Sequence, residues 1–149
     1  MCIRDRYQAG LSGSGSIGVA ETQFLQDVAA LAASQNTLGS PGGCCEQWVE
    51  LVYESCGGPR PWMCCAGSAA EAFIQDTNKE NIPVGACVYG HSSPYVSCGC
   101  GRDAGHVGIY IGNGQVASNV GGIKIESLDS WIGNFGWFGW GYNANYIGD

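Results

Sequence analysis

The sequence predicts an α+β fold, with helices in the first half and an antiparallel sheet after them. Three observations lead there. Apolar residues recur at helical spacing through the segments that contain Phe24 and Cys45. From about Ile82 that period gives way to short alternating runs separated by glycine. The chain of 149 residues holds 25 glycines and only 13% charged residues, a composition of turns and close backbone contacts rather than of a helical bundle.

Taken in order, "GLSGSGSIG" is Gly/Ser-rich and reads as a flexible linker. The leading "MCIRDR" looks like a translated adapter remnant, so residues 1–19 are expected to be a non-native start plus linker and residues 20–149 one domain. In "AETQFLQDVAALAASQ", Phe24, Leu25, Val28 and Leu31 mark one helical face, and "NTLGSPGG" ends it. The next helix is expected from about Cys45 to Cys56. Cys45, Trp48, Val49, Val52 and Cys56 fall on one face, and "GGPRP" stops the run. A third, alanine-rich helix is expected over "AGSAAEAFIQDT". Strands follow in "IPVGACVYG", "HVGIYIG", "QVASNV" and "IKIESL", with a hairpin signal at Asn113-Gly114. The aromatic tail "WIGNFGWFGWGYNANYIG" is expected to supply a last strand.

Charge removes several function classes. A net charge of −7 disfavours nucleic acid, whose phosphates call for Lys and Arg, and equally a polybasic membrane contact. No apolar run approaches the ~20 residues of a bilayer span. Nine cysteines point to an oxidising, extracytoplasmic setting, and their odd number leaves at least one thiol unpaired within the chain.

The chemistry concentrates on Cys45 and His106. A helix N-terminus favours thiolate through its dipole and free N–H groups, and a nearby imidazole can carry the proton. Cys45 opens a helix, and His106 opens the strand "HVGIYIG" after a Gly-rich loop. On that strand His106, Gly108, Tyr110 and Gly112 share a face, and its two glycines let a helix approach. A two-residue Asn113-Gly114 loop would place Asn119 on the same face, one diagonal step from His106, as the group orienting the ring. A register shift of one would present Ser118 instead. The bland alternatives are a disulfide or a buried thiol for Cys45, a satisfied structural histidine for His106, and core packing for Trp131, Trp137 and Trp140 rather than sugar stacking. Disulfides are expected among Cys44, Cys56, Cys64, Cys65, Cys87, Cys98 and Cys100. Cys64-Cys65 and Cys98-x-Cys100 lack the usual zinc-ligand gap, so no metal and no cofactor are expected.

These segments resemble those of the NlpC/P60 cell-wall peptidases. "CEQWVELVYESCG" is similar to their nucleophile helix, with Cys45, Val49, Tyr53 and Gly57 on its Cys, Val, Tyr and Gly. "IPVGACVYG" resembles their Pro-Gly strand, and "GHVGIYIGNGQV" their His motif. The resemblance spans roughly Phe24 to Leu128 and implies a papain-like fold, with the Cys helix packed on an antiparallel sheet. It also implies metal-free hydrolysis of amide bonds in peptidoglycan stem peptides: Cys45 attacks, His106 is the base, and a polar residue orients the His. Three positions depart from the pattern. Cys44 stands where the family has Asp, Glu46-Gln47 where it has Ser-Gly, and Ser118 where it most often has His. These lean towards the related CHAP group, whose third residue is often Asn or Glu.

The expectation is a monomeric cysteine endopeptidase or amidase acting on peptidoglycan through Cys45, His106 and Asn119. Its setting would be extracytoplasmic, as a bacterial secreted enzyme or a phage lysin. The rival is a non-catalytic, disulfide-stapled wall-binding module on the same fold.

Overall fold

A computed structural model describes residues 19–92 and 103–148. The expected linker and the Cys98-x-Cys100 pair lie outside the described residues. The elements are α1 (Gln23–Ala33), α2 (Cys45–Ser55), α3 (Ala66–Phe73), β1 (Ile74–Asp76), β2 (Cys87–Gly90), β3 (His106–Gly112), β4 (Gln115–Asn119), β5 (Ile123–Ser127), α4 (Leu128–Phe135) and β6 (Gly139–Gly141), then a 3₁₀ turn at Asn143–Asn145. The strands form one antiparallel sheet in the order β1-β6-β2-β3-β4-β5. The α+β expectation holds, with the Cys helix α2 packed against β3.

Capping and periodicity explain the first helices. Thr22 Oγ1 accepts from Leu25 N–H at 3.2 Å and satisfies one of α1's orphan donors. Cys44 occupies the corresponding place before α2 and makes no side-chain cap, so the first N–H groups of that helix stay available. On α2, Trp48, Val49, Val52 and Tyr53 are fully buried, as their spacing predicts. Burial of aliphatic side chains of this kind contributes about 1.5–3 kcal/mol each. Trp48 Nε1 donates to Asn36 O at 2.9 Å and Tyr53 OH to Gly85 O at 2.7 Å, so the two large rings also fix the helix to the loops on either side.

Three elements differ from expectation. The third helix stops at Phe73, and Ile74–Asp76 become an edge strand paired with β6. The alanine pattern did not reveal that the distant C-terminal strand would take the β-branched Ile74 as its partner. The aromatic tail divides. Ser127 Oγ accepts from Ser130 N–H at 3.1 Å and starts α4, whose Trp131 and Phe135, one turn apart, turn inward. Only Gly139–Gly141 remains as strand.

The third difference is in register. The Asn113-Gly114 loop forms as expected, both residues having positive φ (55° and 71°), and Gly112 faces Gln115. Tyr110, however, already faces Val116, so Ile111 is a bulge. Beyond it every pair is displaced by one residue, with Ile109 opposite Ala117.

Candidate active site

α2, β3 and β4 carry the predicted residues, and α2 packs against both strands. Cys45 is the first residue of α2, and its thiol accepts from the N–H of Val107, the residue after His106. The N–H groups of Cys45 and Glu46 also point at the sulfur. Such a ring of backbone donors suits negative charge, on a thiolate or on a carbonyl oxygen under attack. Cys45 is a free thiol and lines a cleft of about 480 Å³.

His106 is the first residue of β3 and is buried. Its ring stacks on Phe135 with centroids 3.8 Å apart and lies beside Trp131 at 5.8 Å. Its Nε2 lies 3.0 Å from Ser118 Oγ. With Nε2–H donated to Ser118, the lone pair of a neutral ring sits on Nδ1, free to receive a proton. Upstream, Asp103 Oδ1 accepts from Gly105 N–H at 3.1 Å and from Ser92 Oγ at 2.6 Å, shaping the turn that presents the histidine.

The ring partner of His106 is therefore Ser118, not Asn119. The bulge at Ile111 is the reason, since it moves Ser118 onto the face that an unbulged hairpin would give to Asn119. Asn119 is also buried but has another task. Its Nδ2 donates to Pro41 O at 2.9 Å and to Ser40 Oγ at 3.3 Å. Its Oδ1 accepts from Gly43 N–H at 3.3 Å and from the Gly121 and Gly122 N–H groups. It thus ties the loop that delivers Cys44 and Cys45 to the turn after β4, and positions the helix start rather than the imidazole.

Burial keeps both side chains neutral in the free protein. It pushes the Cys45 thiol up to about 12, against the pull of Val107 N–H, and the Glu46 carboxyl beside it adds to the rise. Burial also lowers His106 to about 4. The free protein thus holds a neutral thiol and a neutral imidazole.

The histidine has a stability consequence with a definite sign. Its folded pKa of about 4 lies below the ordinary 6.5, so between these values the unfolded chain binds more protons. The stabilisation is present above about pH 6.5 and is lost as pH falls towards 4. It amounts to roughly 3 kcal/mol at full protonation. Urea unfolding at pH 7 and pH 4.5 is expected to show a larger loss for the natural protein than for His106→Gln. Equal losses would contradict the assignment.

Among the described residues no group of three or more His, Cys, Asp or Glu side chains could hold a metal ion. Cys64 is disulfide-bonded. Cys44, Cys56 and Cys87 are free thiols, contrary to the expectation of disulfides there. Cys87 is sealed inside the sheet beside Tyr53 and Tyr89, where it behaves as a small apolar side chain. Sequence reasoning also missed Glu46, a buried carboxyl on the cleft wall. Its spacing to Glu50, four residues on, was the one available signal.

Fold and site together define a cysteine-bearing helix set on an antiparallel sheet, with a His–Ser pair on the adjoining strands. No protein-family model matches the chain, and no curated protein matches it. Solved structures do. It is similar to an NlpC/P60 family protein from Bacillus cereus, with TM-score 0.55 and 18% identity over 83% of this chain and 40% of that one. It is also similar to NlpC1 from Trichomonas vaginalis, with TM-score 0.53 and 18% identity over 74% of this chain and 41% of that one. The chain thus spans about 40% of the length of these relatives. At this identity the likeness establishes the fold. No helix among the described residues is long and apolar enough to cross a membrane.

Proposed function

We propose that this chain is an NlpC/P60-type cysteine hydrolase that cleaves amide bonds in peptidoglycan stem peptides. The observation that carries the reading is the thiol of Cys45. It is unpaired, open to a cleft and ringed by backbone N–H groups, one of which belongs to the residue after His106. Cys45 attacks the amide carbon while its proton passes to Nδ1 of His106, which Ser118 holds through Nε2. The N–H donors at the start of α2 stabilise the oxyanion. Protonated His106 gives its proton to the leaving amine, and water then hydrolyses the thioester. The setting is extracytoplasmic. The free thiol favours this reading over a stapled, non-catalytic wall-binding module, which would have no use for an unpaired cysteine in its cleft.

Purified sacculi test the proposal. Incubation is expected to release soluble fragments, each carrying one new amine and one new carboxyl group. Their masses identify the bond and separate endopeptidase from amidase. Sacculi that bind the protein yet release nothing would favour the wall-binding module.

A further inference from the structure

Beside Cys45 the cleft holds a carboxyl pair that the proposed thiol mechanism does not use. Glu46 is only 6% exposed, lines the cleft, and has no protein donor on either carboxyl oxygen. One turn on, Glu50 is fully engaged. Its Oε1 accepts from Arg60 Nε at 3.3 Å and Trp62 N–H at 3.1 Å, and its Oε2 from Met63 N–H at 2.9 Å. Arg60 lies over the Trp62 ring at 3.6 Å, and it is the cation among the described residues that line the cleft. Two carboxyls therefore share one guanidinium, and that guanidinium is spent on Glu50. The cluster is one positive charge short. In the free protein a proton fills the deficit, which is why burial first and contact with Glu50 second raise the Glu46 carboxyl well above its usual range.

We infer that Glu46 is a recognition site for an ammonium group on the substrate, close to the bond that Cys45 attacks. The inference rests on the hydrolase reading and narrows it to substrates carrying a free primary amine. An ammonium supplies the donors that both Glu46 oxygens lack and replaces the shared proton, so an isolated buried charge is never left. Trp62, 72% exposed at the rim, offers an apolar wall to the methylenes of an amine side chain. The groups facing Glu46 are Glu50 on its own helix, Arg60 on the following loop, Cys65 at the start of α3, and Cys87 and Tyr89 on β2. Of these, Arg60 alone is cationic.

The test is calorimetric binding of the dipeptide Nα-acetyl-L-lysyl-D-alanine, which keeps only its ε-amine free, and of its Nε-acetylated form to the full chain, in buffers of different ionisation heat near pH 7. The natural protein is expected to bind the free amine at least ten-fold more tightly than the acetylated form, with release of a proton. Glu46→Gln is expected to lose that discrimination and the proton release. Equal binding of the two dipeptides, or binding of neither, overturns the inference, whatever happens on sacculi. Failure of the hydrolase reading shows separately, as sacculi that release no fragments.

Discussion

Cys45→Ala is expected to lower fragment release from sacculi by on the order of 10⁴-fold or more, because Cys45 is the thiol that the backbone donors at the start of α2 and Val107 N–H surround. The fold should survive. The change removes one sulfur from a small buried side chain at a helix start, which costs about 1 kcal/mol and leaves the core face of α2 intact. Alkylation of the natural protein with iodoacetamide should produce the same loss once Cys45 is modified. Cys44 sits one residue away and more exposed, yet it lies outside α2 and is expected to react without consequence if Cys45 is protected by substrate. Release that persists in Cys45→Ala at the natural rate would remove the nucleophile from the account.

The second large effect is at His106. His106→Gln is expected to lower kcat/KM by about 10²–10⁴-fold, the usual range for loss of a positioned general base. Glutamine keeps a donor for Ser118 and much of the ring's volume against Phe135, so the change is chemical rather than architectural. The pH profile carries the diagnosis. With the Cys45 thiol near 12, the variant depends on solvent to remove the proton, and its residual rate should rise about ten-fold per pH unit between pH 7 and 9. The natural protein, with a neutral imidazole at hand above about pH 5, should be nearly flat there. A variant as active and as flat as the natural protein would show that His106 only fills space.

The legible parts of the sequence were those governed by local periodicity. α1 and α2 could be read from apolar spacing, and the placement of Cys45 at a helix start and His106 at a strand start followed from the same marks. Asn113-Gly114 likewise declared its turn. What failed was long-range or depended on a single backbone defect. Ile74–Asp76 became strand only because β6 arrives beside them from more than sixty residues away. The third site residue turned on one bulge at Ile111, which no side-chain pattern announces, and that bulge decides whether Ser118 or Asn119 meets the ring. Asn119 was singled out for its position. Its actual hydrogen bonds, to the loop before α2, required knowing how the Ser40–Gly43 segment folds back. Glu46 stayed hidden for a related reason. Its environment is made by the loop carrying Arg60, Trp62 and Met63, whose path over Glu50 is set by non-periodic backbone contacts.

A neutral resting pair is the feature that links these parts. A buried thiol between backbone donors and a buried imidazole stacked on Phe135 leave the thiol protonated and the ring neutral in the free protein. The account stands or falls on a bond between Cys45 and the substrate. Mixtures of the protein with stem peptides from sacculi can be quenched in acid during turnover, digested, and mapped by mass. The account predicts an acyl adduct on the sulfur of Cys45, lost in Cys45→Ala and prolonged in His106→Gln. Cleavage proceeding with no adduct on Cys45, or with the adduct on another residue, would contradict it.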